Sequence, residues 1–314
     1  MRLCRQLHNG NVEVALYDDT RVAGLHRLAA ELGVRLPPGH DLLDYLPPDG
    51  KSAEAAVKLH EQFTRLSPAD RERLARPLAE AKLRVPVPEP KKVILLAGNY
   101  AAHIEEGGRE KAAERQETFP YFFWKPPSTT LTHPGDPVRI PAVSPRHIDW
   151  EIELGVILGR RCHAVSEQDA LGYVAGYTVC NDISDRQFQV NPGRKKRDKD
   201  GYFDWLHGKW HDTFLPMGPC VLSAAAAPDP QKFPLKLKVN GRVMQDASTA
   251  QMIFPVAALV SILSSFITLE PGDIISTGTP SGIGHARKPP IYLKAGDVVE
   301  AEVGGIGVLR NPVV

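Results

Sequence analysis

One short stretch carries the densest chemistry in this sequence: His147-Ile148-Asp149-Trp150-Glu151-Ile152-Glu153-Leu154. Read as a strand, its side chains alternate between faces, so Asp149, Glu151 and Glu153 share one side and Trp150, Ile152 and Leu154 the other. The aliphatic run GVILG that follows leads this strand into a core. Carboxylates so closely spaced repel one another, and burying them unpaired is costly. A hard divalent cation removes both problems. The competing reading is a solvent-facing edge strand whose acids deter aggregation. A second segment, VAGYTVCNDIS, reads as an apolar strand ending in Asn181-Asp182, with Arg186 and Gln189 just beyond. A strand end lets an acid reach a site without spoiling the core. Three carboxylate ligands with open positions suit Mg²⁺ or Mn²⁺. Arg186 can hold a substrate carboxylate by a forked pair of hydrogen bonds, or serve as a surface cation balancing Asp182 and Asp185.

Further along the same logic, GNYAAHIEE sets His103 and Glu106 three residues apart after the strand VILLA. On a helix the two share a face, where a carboxylate orients and polarises an imidazole; an exposed helix contact is the plainer alternative. Tyr100, one turn earlier, offers either a hydroxyl to the same site or a packing ring. Gly107-Gly108 and the polar EKAAERQE that follow predict a lid over residues 99–118. Lys209 in LHGKWHDTF is either a site cation or a solvated surface charge. The turn TGTPSGIG at 277–284 presents backbone N–H groups and Thr hydroxyls to anionic oxygens. It is no P-loop, because no Lys-Ser/Thr follows.

The elements that must position these groups are mostly strands. KKVILLAG, VRIP, EIELGVILG, YVAGYTVCNDIS, LKLKVNG, DIISTG and VVEAEV all carry strand signals, and helices are expected at 166–172 and 254–267. Before residue 90, Asn9-Gly10 suits a tight hairpin turn. A helical repeat then runs from Ser52 to Leu66, and Ser67-Pro68-Ala69-Asp70 supplies a helix start. Val85-Pro86-Val87-Pro88-Glu89-Pro90 is an extended connection. The reading is a small N-terminal α+β domain over 1–90 and a chemistry-bearing domain over 91–314.

Composition narrows the function. The 314 residues carry 38 Lys+Arg against 37 Asp+Glu, so no basic surplus marks a nucleic-acid binder. The run RKKRDKD at 194–200 is a solvated loop, or else a local attractor of anionic substrates. No apolar run approaches a membrane span, and MRLCRQLHNG lacks the apolar core of a signal peptide. Four cysteines without metal-like clustering fit buried free thiols, and a cytoplasmic location is expected.

Seven segments in order, GNYAAH, FFWKPPSTTL, DWEIELGVILG, AGYTVCNDISDRQFQ, GKWHDTFLPMGP, VNGRVMQ and LEPGDIISTGTPSGIG, resemble motifs of the fumarylacetoacetate hydrolase family, from Lys92 to the C-terminus. The branch they resemble holds acylpyruvases, oxaloacetate decarboxylases and 2-hydroxyhepta-2,4-diene-1,7-dioate isomerases. The resemblance implies an α+β, β-rich fold built on a roll of mixed sheets, commonly dimeric. It implies that Glu151, Glu153 and Asp182 bind a divalent metal, usually Mg²⁺, with Mn²⁺ or Ca²⁺ as alternatives. His103 and Glu106 match the family's base and its partner, Lys209 its GK lysine, Arg186 and Gln189 its substrate contacts, and Thr279 its TGTP threonine. Asp149 matches no usual ligand and is left as a support.

The resulting expectation is a metal-dependent enzyme that cleaves a C–C bond in a 2-oxo acid or 1,3-dicarbonyl acid through a stabilised enolate. Decarboxylation, isomerisation or dehydration by the same apparatus are its neighbours, and a non-catalytic metal–carboxylate binder is the rival from another class. A small 2-oxo acid substrate and a homodimer complete the reading.

Overall fold

The computed structural model describes residues 1–39, 41–108, 115–188 and 190–314. The chain opens with β1 (Arg2–His8) and β2 (Asn11–Tyr17), paired so that His8 faces Asn11. The two residues between them, Asn9 and Gly10, both have positive φ, as a hairpin turn of this length requires. Strands β3 (Arg21–Gly24), β4 (Arg76–Pro77) and β5 (Lys82–Arg84) extend this layer. Helices Ala53–Arg65 and Pro68–Leu74 appear where expected, the second capped by the Ser67 hydroxyl on the Asp70 amide at 3.1 Å.

The rest of the chain supplies β6 (Val93–Ala97), β7 (Tyr121–Trp124), β8 (Leu131–Thr132), β9 (Ile148–Asp149), β10 (Ile152–Leu158), β11 (Val174–Asn181), β12 (Ser184–Asp185) and β13 (Leu215–Ser223). After these come β14 (Pro234–Val239), β15 (Arg242–Ser248), β16 (Ile274–Ser276), β17 (Val298–Val303) and β18 (Gly307–Pro312). A twelve-stranded mixed sheet runs β4-β3-β2-β1-β13-β11-β10-β16-β6-β7, with β5 on β1 and β8 on β13. A four-stranded sheet, β15-β14-β17-β18, and the pair β12-β9 complete a β-rich α+β roll. The proline-rich connector before residue 90 does not interrupt the large sheet, because β1 hydrogen-bonds to β13.

Strand β10 lies between β11 and β16 and is buried along its whole length. Ile152, Leu154, Val156 and Leu158 enter one core cluster and Ile157 the other, so the strand packs on both faces. That placement rules out the solvent-facing edge strand as a reading of its acids. The strand also breaks before it: Trp150 and Glu151 are not in a ladder, and Asp149 belongs to β9. Asp149 therefore departs from the single carboxylate face that alternation predicts.

Other local readings differ too. The stretch 166–172 is a turn held by Ser166 on Asp169, followed by a 3₁₀ turn at Ala170–Tyr173, because the chain must enter β11 at Val174. VRIP makes only a bridge from Val138 to Val313. The helix at 254–267 is present as Val256–Phe266. RKKRDKD leads into a further helix, Asp200–His207, and pairs with itself: Arg194 and Arg197 both bind Asp200. All four cysteines are free and buried. No helix among the described residues is long and apolar enough to cross a membrane.

Candidate active site and metal centre

Where β10 begins and β11 ends, Ile152 pairs with Asn181, which brings Glu151, Glu153 and Asp182 together. One carboxylate oxygen from each lies within 4.8 Å of the others, and all three side chains are buried. The backbone fixes this cluster. The Asp182 amide donates to the Glu151 carbonyl at 2.8 Å, and the Glu151 amide donates to Asn181 Oδ1 at 3.0 Å. Glu153 Oε2 accepts from the Ser276 hydroxyl at 2.5 Å and from the Gly278 amide at 3.0 Å. Gly278 has φ +88°, and a Cβ there would stand 2.8 Å from Asn99 Cβ, so only glycine lets this turn approach.

Three cations enclose the carboxylates. Lys209 Nζ donates to Glu151 Oε2 at 2.7 Å and Asp182 Oδ2 at 2.5 Å. Its ammonium also lies 5.4 Å and 5.9 Å from the ring centres of Phe123 and Trp205. Arg186 donates from Nε to Asp149 Oδ2 at 2.8 Å and from Nη2 to Glu151 Oε1 at 2.6 Å. Neither is the solvated surface charge that the sequence left open. Lys125, from FFWKPP, is also buried, with Nζ 2.5 Å from Asp182 Oδ1 and 2.8 Å from the Ile183 carbonyl.

The electrostatics follow from that count of neighbours. Burial opposes ionisation of Glu151, yet Lys209 and Arg186 hold its carboxyl well below the ordinary range. Burial, with Asp182 and Glu151 nearby, pushes Glu153 well above that range. Asp182 is raised by burial despite Lys125 and Lys209. Burial pulls Lys125 down to about 8, against the pull of Asp182. Four acids, counting Asp149, thus face three cations, and burial beside Asp182 and Glu151 favours a proton on Glu153. A divalent cation can take that proton's place, and three buried hard-oxygen donors fit Mg²⁺, Mn²⁺ or Ca²⁺.

Above this floor stands the helix Ala101–Glu106. His103 Nδ1 lies 2.8 Å from Glu106 Oε1, and Glu106 Oε2 accepts the Gly282 amide at 2.8 Å. Glu106 therefore fixes both the imidazole and the TGTPSGIG turn, leaving Nε2 of His103 as the ring's other nitrogen. Thr279 donates to the Ile152 carbonyl at 2.9 Å and accepts from Gln245 Nε2 at 2.9 Å, bracing the start of β10. One cavity of about 270 Å³ is lined by His103, Glu151, Glu153, Asp182, Arg186, Lys209 and Thr279, with Leu96, Phe123, Trp205 and Ile283 among its apolar wall. His285 also lines it.

Two expected contributors stand apart. Tyr100 is buried in the core, does not line the cavity, and its hydroxyl has no hydrogen-bond partner among the described residues. Gln189 lies outside the described residues, as do 109–114 of the expected lid. Lys125, Gln245, Ser276 and His285 escaped the residue-level reading. Of these only Lys125 carried a signal, a lone cation closing an aromatic strand.

Over residues 92–314 the sequence matches the family model described as fumarylacetoacetate hydrolase, C-terminal. It is 40% identical over 232 residues to a mitochondrial oxaloacetate tautomerase of Xenopus laevis, spanning 74% of this chain and 68% of that one. Identity is 42% over 240 residues to the 2,4-didehydro-3-deoxy-L-rhamnonate hydrolase of a Sphingomonas species, spanning 76% and 79%. The structure of maleylpyruvate hydrolase from Sphingobium superposes with a TM-score of 0.72 at 29% identity, covering 100% of this chain and 99% of that one.

Proposed function

The chain belongs to the fumarylacetoacetate hydrolase family, in the branch of oxaloacetate tautomerases and diene-dioate isomerases, and on that premise we propose that it is a divalent-metal-dependent enzyme acting on a 2-oxo acid through its enolate. The observation that carries the reading is one cavity holding a buried carboxylate triad and a carboxylate-oriented histidine. Glu151, Glu153 and Asp182 would hold the metal, which when bound supplies Lewis-acid charge for the substrate's carboxylate and 2-oxo oxygens.

The protein's own groups do the rest. With Nδ1 of His103 held by Glu106, Nε2 takes a proton from the carbon beside the 2-oxo group and can return it. Lys209 uses two of its three donors on Glu151 and Asp182 and keeps one for the enolate oxygen. Arg186, fixed by Asp149 and Glu151, positions the substrate, and Thr279 braces the wall it leans on. Leu96, Phe123, Trp205 and Ile283 limit water near the reacting carbon.

The sequence reading places C–C hydrolysis first. Relatives at 40% identity named as tautomerases move keto–enol tautomerisation to first place, since it asks for nothing beyond this proton transfer. Hydrolytic C–C cleavage is the second reading, favoured by the sugar-acid hydrolase relative. The test follows solvent deuterium incorporation at C3 of oxaloacetate, 2-oxobutyrate and acylpyruvates by NMR, with Mg²⁺ and with chelator. Chelator-sensitive exchange that His103→Ala removes supports the reading; absence of exchange and of cleavage across the panel rejects it.

We further place the protein in the cytoplasm, in keeping with its four free thiols, and as a homodimer. Strand β7 is a sheet edge and exposes Tyr121 and Trp124, with Phe119 and Phe266 beside it. Sedimentation of the native chain against Tyr121→Lys tests that face.

A further inference from the structure

The proposed chemistry leaves one polar wall residue without a task. Of the side chains lining the cavity, Glu151, Glu153 and Asp182 are assigned to a metal, and Lys209 and His103 to the reacting atoms. The Thr279 hydroxyl is spent on Ile152 and Gln245, and Arg186 commits Nε and Nη2 to Asp149 and Glu151. His285 remains.

Its position is built rather than incidental. The amides of Gly284 and His285 donate to Asp149 Oδ1 and Oδ2 at 2.7 and 3.0 Å. Oδ2 is the oxygen that also receives Arg186 Nε, so His285 and Arg186 share one buried anchor. The Ile291 amide returns to the Gly284 carbonyl at 3.0 Å, and the Leu293 amide to the Ile148 carbonyl at 2.8 Å. That closed loop brings the Tyr292 hydroxyl 2.8 Å from His285 Nδ1. Tyr292 is itself braced edge-on by His147, with ring centres 5.0 Å apart. The Tyr292 hydroxyl can donate to Nδ1, and in that tautomer the ring proton sits on Nε2, for which no hydrogen bond is found among the described residues.

We infer that His285 is a specificity-determining residue, and Tyr292 its positioning residue, for 2-oxo acids whose far end carries an acceptor oxygen. The inference rests on the proposed function, since the triad must fix the 2-oxo acid end for a tail to reach this wall. The cavity's apolar lining includes Leu96, Ile104, Phe123 and Ile283. An alkyl tail therefore gains nothing from His285, whereas a carboxylate or hydroxyl tail gains one directed hydrogen bond.

The test measures binding by calorimetry with Mg²⁺ present, using oxalate, 2-oxovalerate, 2-oxoglutarate and 5-hydroxy-2-oxovalerate. Oxalate has no tail, and the other three share one chain length. The native protein should favour 2-oxoglutarate over 2-oxovalerate, and His285→Phe should cut that preference by about tenfold, the scale of one hydrogen bond to a charged group. The hydroxy acid shows whether a neutral acceptor suffices. Tyr292→Phe should lower the preference less, and His285→Gln, which keeps a donor, should restore part of it. Oxalate affinity should hold in all three variants. An unchanged preference in His285→Phe with oxalate still bound overturns the inference alone. An equal fall for every ligand overturns it too, by making His285 a structural brace. A native protein that binds no oxalate overturns the proposed function and this inference with it.

Discussion

The floor of the cavity and the helix above it are built to different standards. Glu153 lies within β10 of the twelve-stranded sheet, and Glu151 and Asp182 directly flank β10 and β11, with backbone and side-chain partners from β11, β16 and Lys209. The helix Ala101–Glu106 has six residues, none buried, and the His103 and Glu106 side chains are 18% and 20% exposed. Its tie to the TGTPSGIG turn is one hydrogen bond, from the Gly282 amide to Glu106. The difference matches the proposed function. Holding three acids together demands a frame that repulsion cannot spread, whereas moving a proton demands only correct placement when substrate is present.

The sharpest way to break this contrast is at the floor. Glu153→Gln keeps the shape and still accepts from Ser276 and Gly278 but loses the charge. Mg²⁺ affinity should fall by more than about 100-fold, beyond the 10–100-fold typical of losing a supporting partner, and activity should vanish with it. The metal-free melting temperature should not drop, because burial beside Asp182 and Glu151 already disfavours the Glu153 carboxylate. Calorimetry showing native Mg²⁺ affinity would remove Glu153 from the metal site. On the helix, His103→Ala and Glu106→Ala should each lower kcat by about 10²–10⁴-fold, the scale of general acid–base catalysis. If Glu106 acts mainly through the imidazole, the double variant should be little worse than the poorer single one. Mg²⁺ affinity should survive in all three. Multiplicative losses would give the two residues separate roles.

The same contrast explains what the sequence revealed. Alternation placed Trp150, Ile152 and Leu154 in one core cluster, and strand patterns located β6, β10, β11 and β14 closely. Those signals are local and periodic. Asp149 defied them because the chain leaves the ladder at Trp150, an event set by the distant amides of Gly284 and His285. Lys125 and Gln245 reach the site across 58 and 93 residues, from Ile183 and Ile152. No spacing rule covers such distances. The family's motifs did mark the segments bearing both, but not what either side chain touches.

Asp149 offers an intermediate test, because it supports the floor without belonging to the triad. Asp149→Asn keeps the Oδ1 acceptor for the Trp150 and Gly284 amides but replaces the oxygen that takes the His285 amide and Arg186, which then leans on Glu151 alone. Mg²⁺ affinity should fall by about 10–100-fold, as for other residues that orient ligands, and by less than in Glu153→Gln. A loss as large as that of Glu153→Gln would make Asp149 a ligand, and the break in the strand would need another explanation.

The smallest expected effect bears most directly on the contrast itself. If the helix is ordered by substrate, amide hydrogen exchange over residues 101–106 should be fast in the free protein. It should slow by about tenfold with Mg²⁺ and oxalate near tenfold above the dissociation constant, as mass action gives for a segment that closes only when bound. Amides of β10 and β11 exchange through larger openings and should be far slower before any ligand is added. Mg²⁺ alone should slow β10 and leave the helix unchanged, because the proposed metal ligands are on the floor. Oxalate must be present for His103 to meet anything. Helix amides already as protected as β10 would show that the Glu106–Gly282 bond suffices to fix the helix. The proton-moving group would then be as rigidly built as the carboxylates, and the two standards of construction would reduce to one.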